Sequence, residues 1–267
     1  MDWSISINMI IVGGIIAVVE WQKDGTVAIM IMNNGENRQD PDWTEAMLTV
    51  FSEIIADQEI KALVLTSSDP KFFSLGVNTE WIFKAAQDND YPGISKWFYR
   101  NHEVFTSLMM APFPTIAAIN GHAFGNGLML AGACDFRFMR ADKGFLCFPE
   151  INLGIQLVPS MLEWMKRIMP YHLYQRMLLT GDKLGAAELE KYNVIMKACE
   201  DGEKTLEEAV AFAKTFNKSK AAMTEMKRRM YKHVLDKMIS EDPPCIDYKP
   251  EAVKEGRPPV FMFTPLT

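Results

Sequence analysis

The sequence predicts an α/β fold with a helical C-terminal region, and three observations support this prediction. Apolar runs at 62–66, 115–119 and 136–140 have the length and composition of buried strands, and helical patterns separate them. A glycine-rich turn at 120–127 joins one of these strands to the helix after it. Beyond Pro159 the pattern is mostly helical. The 267 residues, 48% of them apolar, suffice for one main core.

The first elements follow from turn and capping signals. Runs at 15–20 and 27–32 flank an Asp-Gly pair, which predicts a β-hairpin. Asp40 and Pro41 supply an N-cap and a first-turn proline, so we expect a helix from there to about Asp57. That helix carries apolar residues at helical spacing, namely Trp43, Met47, Val50, Phe51 and Ile54.

The later elements are predicted by periodicity. A second amphipathic helix covers 94–110, and prolines at 112 and 114 end it. Thr205 and Glu208 have the spacing of a capping box that opens a helix. Further helices are expected near 160–168, 171–178, 185–191 and 219–239. The tail from Pro243, including 261–263, has no clear period and is expected to drape over the body or a neighbouring subunit. We predict a core of residues 1–200 and a helical C-terminal region of residues 201–267 that takes part in oligomerisation.

Charge and composition exclude several functional classes. The net charge of −6 and the absence of a dense basic stripe argue against nucleic-acid binding. The cluster at 227–229 is short and fits a solvated helix face or an interface edge. The apolar run at 7–19 is too short to span a bilayer, and no basic segment precedes it as in a signal peptide. We therefore expect no membrane association.

The cysteines indicate neither a metal site nor a disulfide framework. Cys134, Cys147, Cys199 and Cys245 form no CxxC pair and have no histidines at ligand spacing. A reducing cytoplasm fits this usage best. No metal or separate cofactor is expected.

The glycine-rich turn is the first candidate for a functional site. It lacks the Gly-Lys-Ser/Thr ending of a phosphate-binding loop, and its glycines do not have the dinucleotide-binding spacing. Two interpretations stay open at this point. The turn either packs backbones closely together or presents the N–H groups of a helix N-terminus to a developing negative charge.

Three segments together resemble the crotonase, or enoyl-CoA hydratase/isomerase, superfamily. They are Phe-Phe-Ser-Leu-Gly-Val-Asn at 72–78, Ile-Asn-Gly-His-Ala-Phe-Gly-Asn-Gly at 119–127 and Cys-Phe-Pro-Glu-Ile-Asn-Leu-Gly at 147–154. The likeness covers roughly residues 15–200 and is greatest to the Δ3,Δ2-enoyl-CoA isomerase branch. It implies the crotonase (ClpP-like) spiral of ββα units and an acyl-CoA substrate, with coenzyme A as part of that substrate.

In the family that the chain resembles, two backbone N–H groups form an oxyanion hole for the thioester oxygen. By position these belong to Val77 and Asn126. Such donors are each worth about 2.7–4 kcal/mol in the transition state and need no particular side chain. Asn126 stands where the family has glycine, and asparagine tolerates left-handed backbone angles better than most residues.

The hydratase pattern uses two glutamates, and this chain keeps one of the two positions. Met129 stands at the first position, and a thioether cannot abstract a proton or orient a hydroxide. Glu150 stands at the second position and is the predicted catalytic residue. Apolar neighbours would raise its pKa toward a value useful for a base near neutral pH. One carboxylate suffices for an isomerase, because it can take a proton at C2 and return it at C4.

Further site residues are assigned by position. The resemblance implies coenzyme A contacts mainly from backbone, at Arg38, Gln39, Ser74, Leu75 and Gly76. Lys71 or Arg38 could neutralise a phosphate, although either residue could equally be solvated. His122 and Asp135 are expected to have structural roles. The residues expected to line an acyl pocket, or alternatively to pack in the core, are Trp81, Phe124, Met129 and Phe148.

The sequence therefore predicts an acyl-CoA isomerase of fatty acid metabolism that shifts a 3-enoyl double bond to the 2-position, a reaction of β-oxidation. The resemblance implies a homotrimer or a hexamer built as a dimer of trimers. Two alternatives stay open. One is another enolate-forming reaction of the superfamily, such as hydration, decarboxylation or C–C hydrolysis, and the other is a non-catalytic acyl-CoA-binding scaffold.

Overall fold

The computed structural model describes residues 11–12, 15–16 and 18–251, which form thirteen strands and twelve helices. The strands are β1 (Ile11–Val12), β2 (Ile15–Ile16), β3 (Val19–Asp24), β4 (Val27–Met32), β5 (Arg38–Gln39), β6 (Ala62–Ser67), β7 (Phe72–Ser74), β8 (Gly76–Val77), β9 (Thr115–Ile119), β10 (His122–Phe124), β11 (Phe136–Arg140), β12 (Leu146–Cys147) and β13 (Lys197–Cys199). The helices are α1 (Pro41–Ala56), α2 (Thr79–Gln87), α3 (Tyr91–Met110), α4 (Asn126–Ala133), α5 (Glu150–Leu153), α6 (Pro159–Met165), α7 (Tyr171–Thr180), α8 (Ala186–Lys191), α9 (Gly202–Ala213), α10 (Lys220–Met230), α11 (Lys232–Ser240) and α12 (Pro243–Ile246).

A six-stranded sheet with the order β13-β11-β9-β6-β4-β3 forms the centre of the molecule. Within this sheet, the β3–β4 edge pair is the one antiparallel pair among the described strands. It is the predicted hairpin, but its first strand covers Val19–Asp24 and not the predicted run at 15–20. Gly25 makes the turn with a φ of +62°, a conformation that glycine adopts without steric cost. The central strands are buried, as their continuous apolar runs predict.

Short strands of a second, smaller sheet alternate with those of the main sheet along the chain. β6 is followed by β7, β9 by β10 and β11 by β12, and the three short strands pair in the order β12-β10-β7. A helix follows each such pair of strands. The chain therefore winds as a spiral of ββα units, and the predicted fold class is confirmed.

Helices cover both faces of the main sheet. On one face α1, α3, α4 and α6 enclose the larger apolar core, which includes Trp43, Phe105 and Trp164. On the other face α9 packs Ala209 and Val210 against Ile116 and Phe138. The predicted division at residue 200 stays a prediction, although α9 lies directly on the main sheet.

Several predicted helix boundaries were wrong, and the packing explains why. α9 begins at Gly202, because the Asp201 side chain accepts a hydrogen bond from the Lys204 N–H and caps the helix before Thr205. The helix predicted over 219–239 is two helices, α10 and α11, which meet at the buried Tyr231 under the Arg167 guanidinium. The periodicity of the sequence did not indicate α2, α5 or α12, and the last two have only four residues each.

Two predicted segments lie partly outside the described residues. Of the apolar run at 7–19, the structure describes the β1–β2 pair and the start of β3. The tail is described as far as residue 251, so the segment at 261–263 lies beyond it. Within 11–12, 15–16 and 18–251, no helix combines the length and the hydropathy that crossing a bilayer requires.

Candidate active site

A cavity of about 100 Å³ lies just beyond the C-terminal ends of the second-sheet strands, between β8 and the helices α2 to α6. Its inner wall consists of the buried side chains of Ile82, Trp97, Phe98 and Met161. At its outer edge lie residues 153–157, among which Leu153 is 46% exposed. The cavity is therefore an apolar pocket that opens to solvent on one side, as ligand sites commonly are.

Glu150 is the first residue of α5 and contributes its carboxylate to the cavity wall. The side chain is buried, and its Oε2 atom has no hydrogen-bond partner among the described residues. Burial raises the pKa of this carboxyl to about 7, because desolvation disfavours the charged form. Among the described residues that line the cavity, Glu150 is the one with an ionisable side chain.

Gly125 makes room for that carboxylate. Its φ is +53°, and a Cβ built at this position would lie 2.7 Å from the Glu150 Oε1 atom. Any side chain there would displace the carboxylate from the cavity wall. The turn at 120–127 therefore packs closely and also leaves space for the predicted catalytic group. That it presents N–H groups to a developing negative charge stays a prediction.

The predicted donor residues Val77 and Asn126 line the same cavity as Glu150. Gly76, with a φ of +77°, lets the backbones of β8 and α4 touch, since a Cβ on it would lie 2.9 Å from the Asn126 nitrogen. Asn126 is the first residue of α4, and no side chain caps this helix. First-turn N–H groups of a helix lack partners within the helix, so this end of α4 favours negative charge beside the cavity.

Asn126 does not adopt the left-handed backbone conformation that asparagine tolerates. Among the described residues other than glycine, positive φ angles occur at Asn37, Asn89 and Asn193. Gly125 makes the left-handed turn instead. Asparagine is therefore accommodated at 126 without backbone strain, and its side chain forms a hydrogen bond to Asn101.

Of the five residues predicted to contact coenzyme A, one lines the cavity, one is partly exposed and three are buried. Leu75 lines the cavity, and the partly exposed Arg38 pairs with Glu36 at 2.6 Å. Gly76 is buried against the start of α4. The side chains of Ser74 and Gln39 are fully buried and are engaged by internal hydrogen bonds. Those two could reach a ligand only through backbone atoms, and their contact with coenzyme A stays a prediction.

The four residues predicted for the acyl pocket do not line this cavity. Met129 and Phe148 are fully buried in the core, and Phe124 lies under the Lys183 ammonium. Trp81 packs against Trp97, at 5.1 Å between ring centroids, and so supports the cavity wall from behind. Apolar spacing cannot distinguish a core side chain from a cavity side chain. Met129 and Phe148 pack in the core, whereas Phe124 and Trp81 are half-buried, and an acyl-binding role for these residues stays a prediction.

Sequence reasoning missed the wall that α3 contributes. Trp97 and Phe98 face the cavity, and Asn101 lies one turn further along the same helix. All three are buried. A signal was present, since Asn101 and His102 are polar residues on an otherwise apolar helix face.

His122 and Asp135 have the structural roles expected of them. The His122 ring packs among Phe72, Phe124 and Phe145, and it is not among the residues that line the cavity. Asp135 accepts hydrogen bonds from the Thr115 N–H and hydroxyl. Neither residue lines the cavity that Glu150 lines.

Comparison with known proteins gives one consistent family. A family model described as enoyl-CoA hydratase/isomerase matches residues 22–241. Enoyl-CoA delta isomerase 2, peroxisomal, of Arabidopsis thaliana is 29% identical over 189 residues, which are 68% of this chain and 77% of that protein. Carnitinyl-CoA dehydratase of Escherichia coli is 30% identical over 154 residues, 58% of this chain and 57% of that protein. The crystal structure of an enoyl-CoA hydratase/isomerase family protein from Pseudomonas syringae superposes with a TM-score of 0.77 at 19% identity, covering 86% of this chain and 98% of that one.

Proposed function

The chain belongs to the enoyl-CoA hydratase/isomerase family, and from that premise we propose that it isomerises a 3-enoyl-CoA to the 2-enoyl-CoA. Glu150 is the base and then the acid. The backbone N–H groups of Val77 and Asn126 bind the thioester oxygen. The similarity to the Arabidopsis isomerase supports this choice of reaction.

The proposed reaction is two proton transfers joined by an enolate. The Glu150 carboxylate removes a proton from C2, and the C–H electron pair delocalises onto the thioester oxygen. The two N–H groups stabilise the resulting negative charge more strongly than they stabilise the neutral carbonyl. Glu150 then returns the proton at C4, and the double bond stands between C2 and C3. Atoms balance without a further reactant.

The observation that carries this proposal is that Glu150 is the one ionisable side chain among the described residues that line the cavity. Hydration requires a group that holds and activates water in addition to the group that protonates carbon. By the resemblance, Met129 stands at the position of that second carboxylate; it is buried in α4 and does not line the cavity. A pKa of about 7 suits one carboxyl that must both accept and donate a proton near neutral pH.

Hydration or dehydration of an acyl-CoA is the second candidate, favoured by the similarity to carnitinyl-CoA dehydratase. In that case Gln156, which lines the outer part of the cavity, would have to help to hold the water. A neutral amide orients water but does not deprotonate it. We therefore rank this candidate below isomerisation.

The deciding experiment supplies 3-enoyl-CoA and 2-enoyl-CoA thioesters of several chain lengths to the wild type and to Glu150→Gln. Isomerisation by the wild type and its loss by at least about 100-fold in the variant are expected, because the amide cannot accept the proton. Glu80→Gln, at an exposed position of α2, is the matched control and should keep its activity.

Three outcomes would contradict the proposal. Hydration without isomerisation would favour the second candidate. Unchanged turnover in Glu150→Gln would remove Glu150 from the mechanism. Tight acyl-CoA binding without turnover of any thioester would favour a non-catalytic scaffold.

We also propose a cellular location and an oligomeric state for the protein. The four cysteine thiols are unpaired in the structure, which supports a reducing, cytoplasmic location. Large apolar side chains exposed on α10 and α11, including Met226, Met230 and Ile239, support burial against another subunit. Light scattering should give the mass of a trimer or hexamer of the chain, and a monomer would refute this part.

A further inference from the structure

Three buried carboxamides form a closed ring of hydrogen bonds behind the cavity. Asn126 Nδ2 donates to Asn101 Oδ1 at 3.2 Å, and Asn101 Nδ2 donates to Gln39 Oε1 at 3.2 Å. Gln39 Nε2 donates to the Asn126 backbone oxygen at 3.1 Å and closes the ring. These residues come from α4, α3 and β5, and all three are at most 5% exposed. We call them the amide ring.

One hydrogen bond of the amide ring is made to the backbone of Asn126, a predicted oxyanion donor. Asn126 is the first residue of α4, where the N-cap Gly125 offers no side-chain oxygen to hold the first turn. The Gln39 amide instead binds the Asn126 carbonyl, and the Asn126 side chain is held by Asn101. Asn126 is thereby restrained through both its backbone carbonyl and its side chain.

Gln39 is also bonded to the strand that carries the other predicted donor. β5 pairs in parallel with β8, with Gln39 opposite Val77, and the Gln39 carbonyl accepts a hydrogen bond from the Asn78 N–H at 2.9 Å. One residue therefore contacts both backbone segments that contribute a donor. Its backbone holds the Val77 strand, and its side chain holds the start of α4.

A carboxamide is the side chain that such a ring requires. Each member donates one hydrogen bond and, at Asn101 and Gln39, accepts another through a separate atom of the same planar group. A carboxylate could not donate, and an apolar side chain would leave two buried partners unsatisfied. The ring is buried and leaves none of its side-chain polar atoms unsatisfied, which suits precise positioning of a site.

Resting on the proposed function, we propose that Gln39, Asn101 and Asn126 are positioning residues that fix the Asn126 N–H relative to the Val77 N–H, so that both reach one thioester oxygen. The ring does not touch the reacting atoms. It keeps the two donors at the separation that the enolate oxygen needs. Loss of the ring should therefore weaken binding of the enolate more than binding of the neutral thioester.

Asn101→Leu is the first test, because it removes the central member and retains the approximate side-chain volume. We expect kcat to fall by about 10- to 100-fold while KM changes by less than about threefold, since a misplaced donor costs less than an absent one, which is worth about 10²–10³. Thr66→Val is the matched control. It also deletes a buried side-chain hydrogen bond, from Thr66 Oγ1 to the Ala118 carbonyl, but outside the cavity.

Gln39→Glu supplies a readout that a purely structural role would not change. A neutral carboxylic acid can donate to the Asn126 carbonyl and accept from Asn101, as the amide does, whereas the carboxylate cannot donate. The ratio of variant to wild-type kcat should therefore rise as pH falls from 9 to 6. A ratio that does not change over this range in a folded variant would contradict the proposal.

The closing experiment needs no turnover and separates this inference from the proposed function. A β-ketoacyl-CoA has an enolate with its own ultraviolet absorbance, so the enolate fraction of the bound thioester can be measured directly. The wild type should raise that fraction, and Asn101→Leu should bind the thioester but raise it at least about tenfold less. If the wild type stabilises the enolate without isomerising 3-enoyl-CoA, the ring is supported and the reaction is wrong. If Asn101→Leu stabilises the enolate as the wild type does, the ring proposal is wrong.

Discussion

At the scale of single residues, burial of Glu150 sets the conditions under which the site can work. The carboxyl has a pKa of about 7 because its charge is desolvated. As a base it must be ionised before the first proton transfer. We expect kcat/KM to fall about tenfold per pH unit below pH 7 and to level above it, measured from pH 5.5 to 9 with 3-enoyl-CoA. A profile that is flat from pH 5.5 to 7 would contradict this assignment.

The same burial makes Glu150 costly for folding at alkaline pH. The folded pKa of about 7 lies above the ordinary value of 4.5, so the folded protein favours the protonated form. The stability contributed by that proton is complete below pH 4.5 and is lost as pH rises through 7. Glu150→Gln stays neutral and should be more stable than the wild type by about 2–4 kcal/mol at pH 8, at about 1.4 kcal/mol per pKa unit.

Urea unfolding of both proteins at pH 8 and pH 5 checks this expectation. The difference should shrink strongly at pH 5, where the wild-type carboxyl is also neutral. A variant that is less stable than the wild type at pH 8 would show that the charged carboxylate is favourably bound. Glu80→Gln, which is exposed, should change little at either pH.

Some residues of the site could be predicted from the sequence, and others could not. The resemblance placed Val77, Asn126 and Glu150, and the structure brings these three to one cavity. The sequence could not place the acyl pocket, because burial in the core and burial in a cavity wall select the same apolar side chains. Nor could it pair Asn101 with Gln39, since their contact joins residues 62 positions apart.

At the scale of elements, α3 closes the inner end of the cavity. Phe98 is buried there beside Trp97 and Met161. Phe98→Leu should deepen the cavity and raise the ratio of activity on longer to shorter acyl-CoA chains by at least about tenfold, as one methylene is worth about 1–3 kcal/mol of discrimination. Ile54→Val is the control, because Ile54 is buried in α1 and does not line the cavity. Equal ratios in the two variants would exclude α3 as the limiting wall.

Elements with a strong period or a capping signal were predictable, and short elements were not. α1 begins after the Asp40 cap as expected, and β6, β9 and β11 fall on their apolar runs. α5 has four residues, and only tertiary contacts hold so short a helix. Yet α5 carries Glu150, so the element that matters most for the site was the hardest to predict.

At the scale of the whole molecule, buried ion pairing attaches the C-terminal helices to the spiral. Lys227 on α10 was expected on a solvated face or an interface edge, but it is buried. Its ammonium lies 2.5 Å from the Asp135 carboxylate and also donates to the Phe113 carbonyl. At the start of α12, buried Asp242 accepts hydrogen bonds from the Ser160 N–H and hydroxyl. The first set of contacts joins α10 to residues beside β9 and β11 of the main sheet, and the second joins the start of α12 to α6.

Lys227→Met should destabilise the protein by about 3 kcal/mol, because it leaves the Asp135 carboxylate, only 13% exposed, without its cation. The double variant with Asp135→Asn should lose less than the sum of the two single changes. Lys232→Met breaks an exposed pair with Asp236 and should cost at most about 1 kcal/mol. Urea denaturation measures all four proteins, and equal losses for Lys227→Met and Lys232→Met would contradict the prediction.

Because Glu150 Oε2 has no hydrogen-bond partner among the described residues, a proton that it carries from C2 to C4 should be partly retained. The carboxyl is buried and apolar side chains form the inner wall of the cavity, so a proton taken from C2 should exchange slowly with water. Substrate deuterated at C2 should therefore yield product that keeps part of the deuterium at C4, even in ordinary water. Mass spectrometry of the early product measures the retained fraction, and complete washout would mean that solvent reaches the carboxyl faster than the enolate is reprotonated.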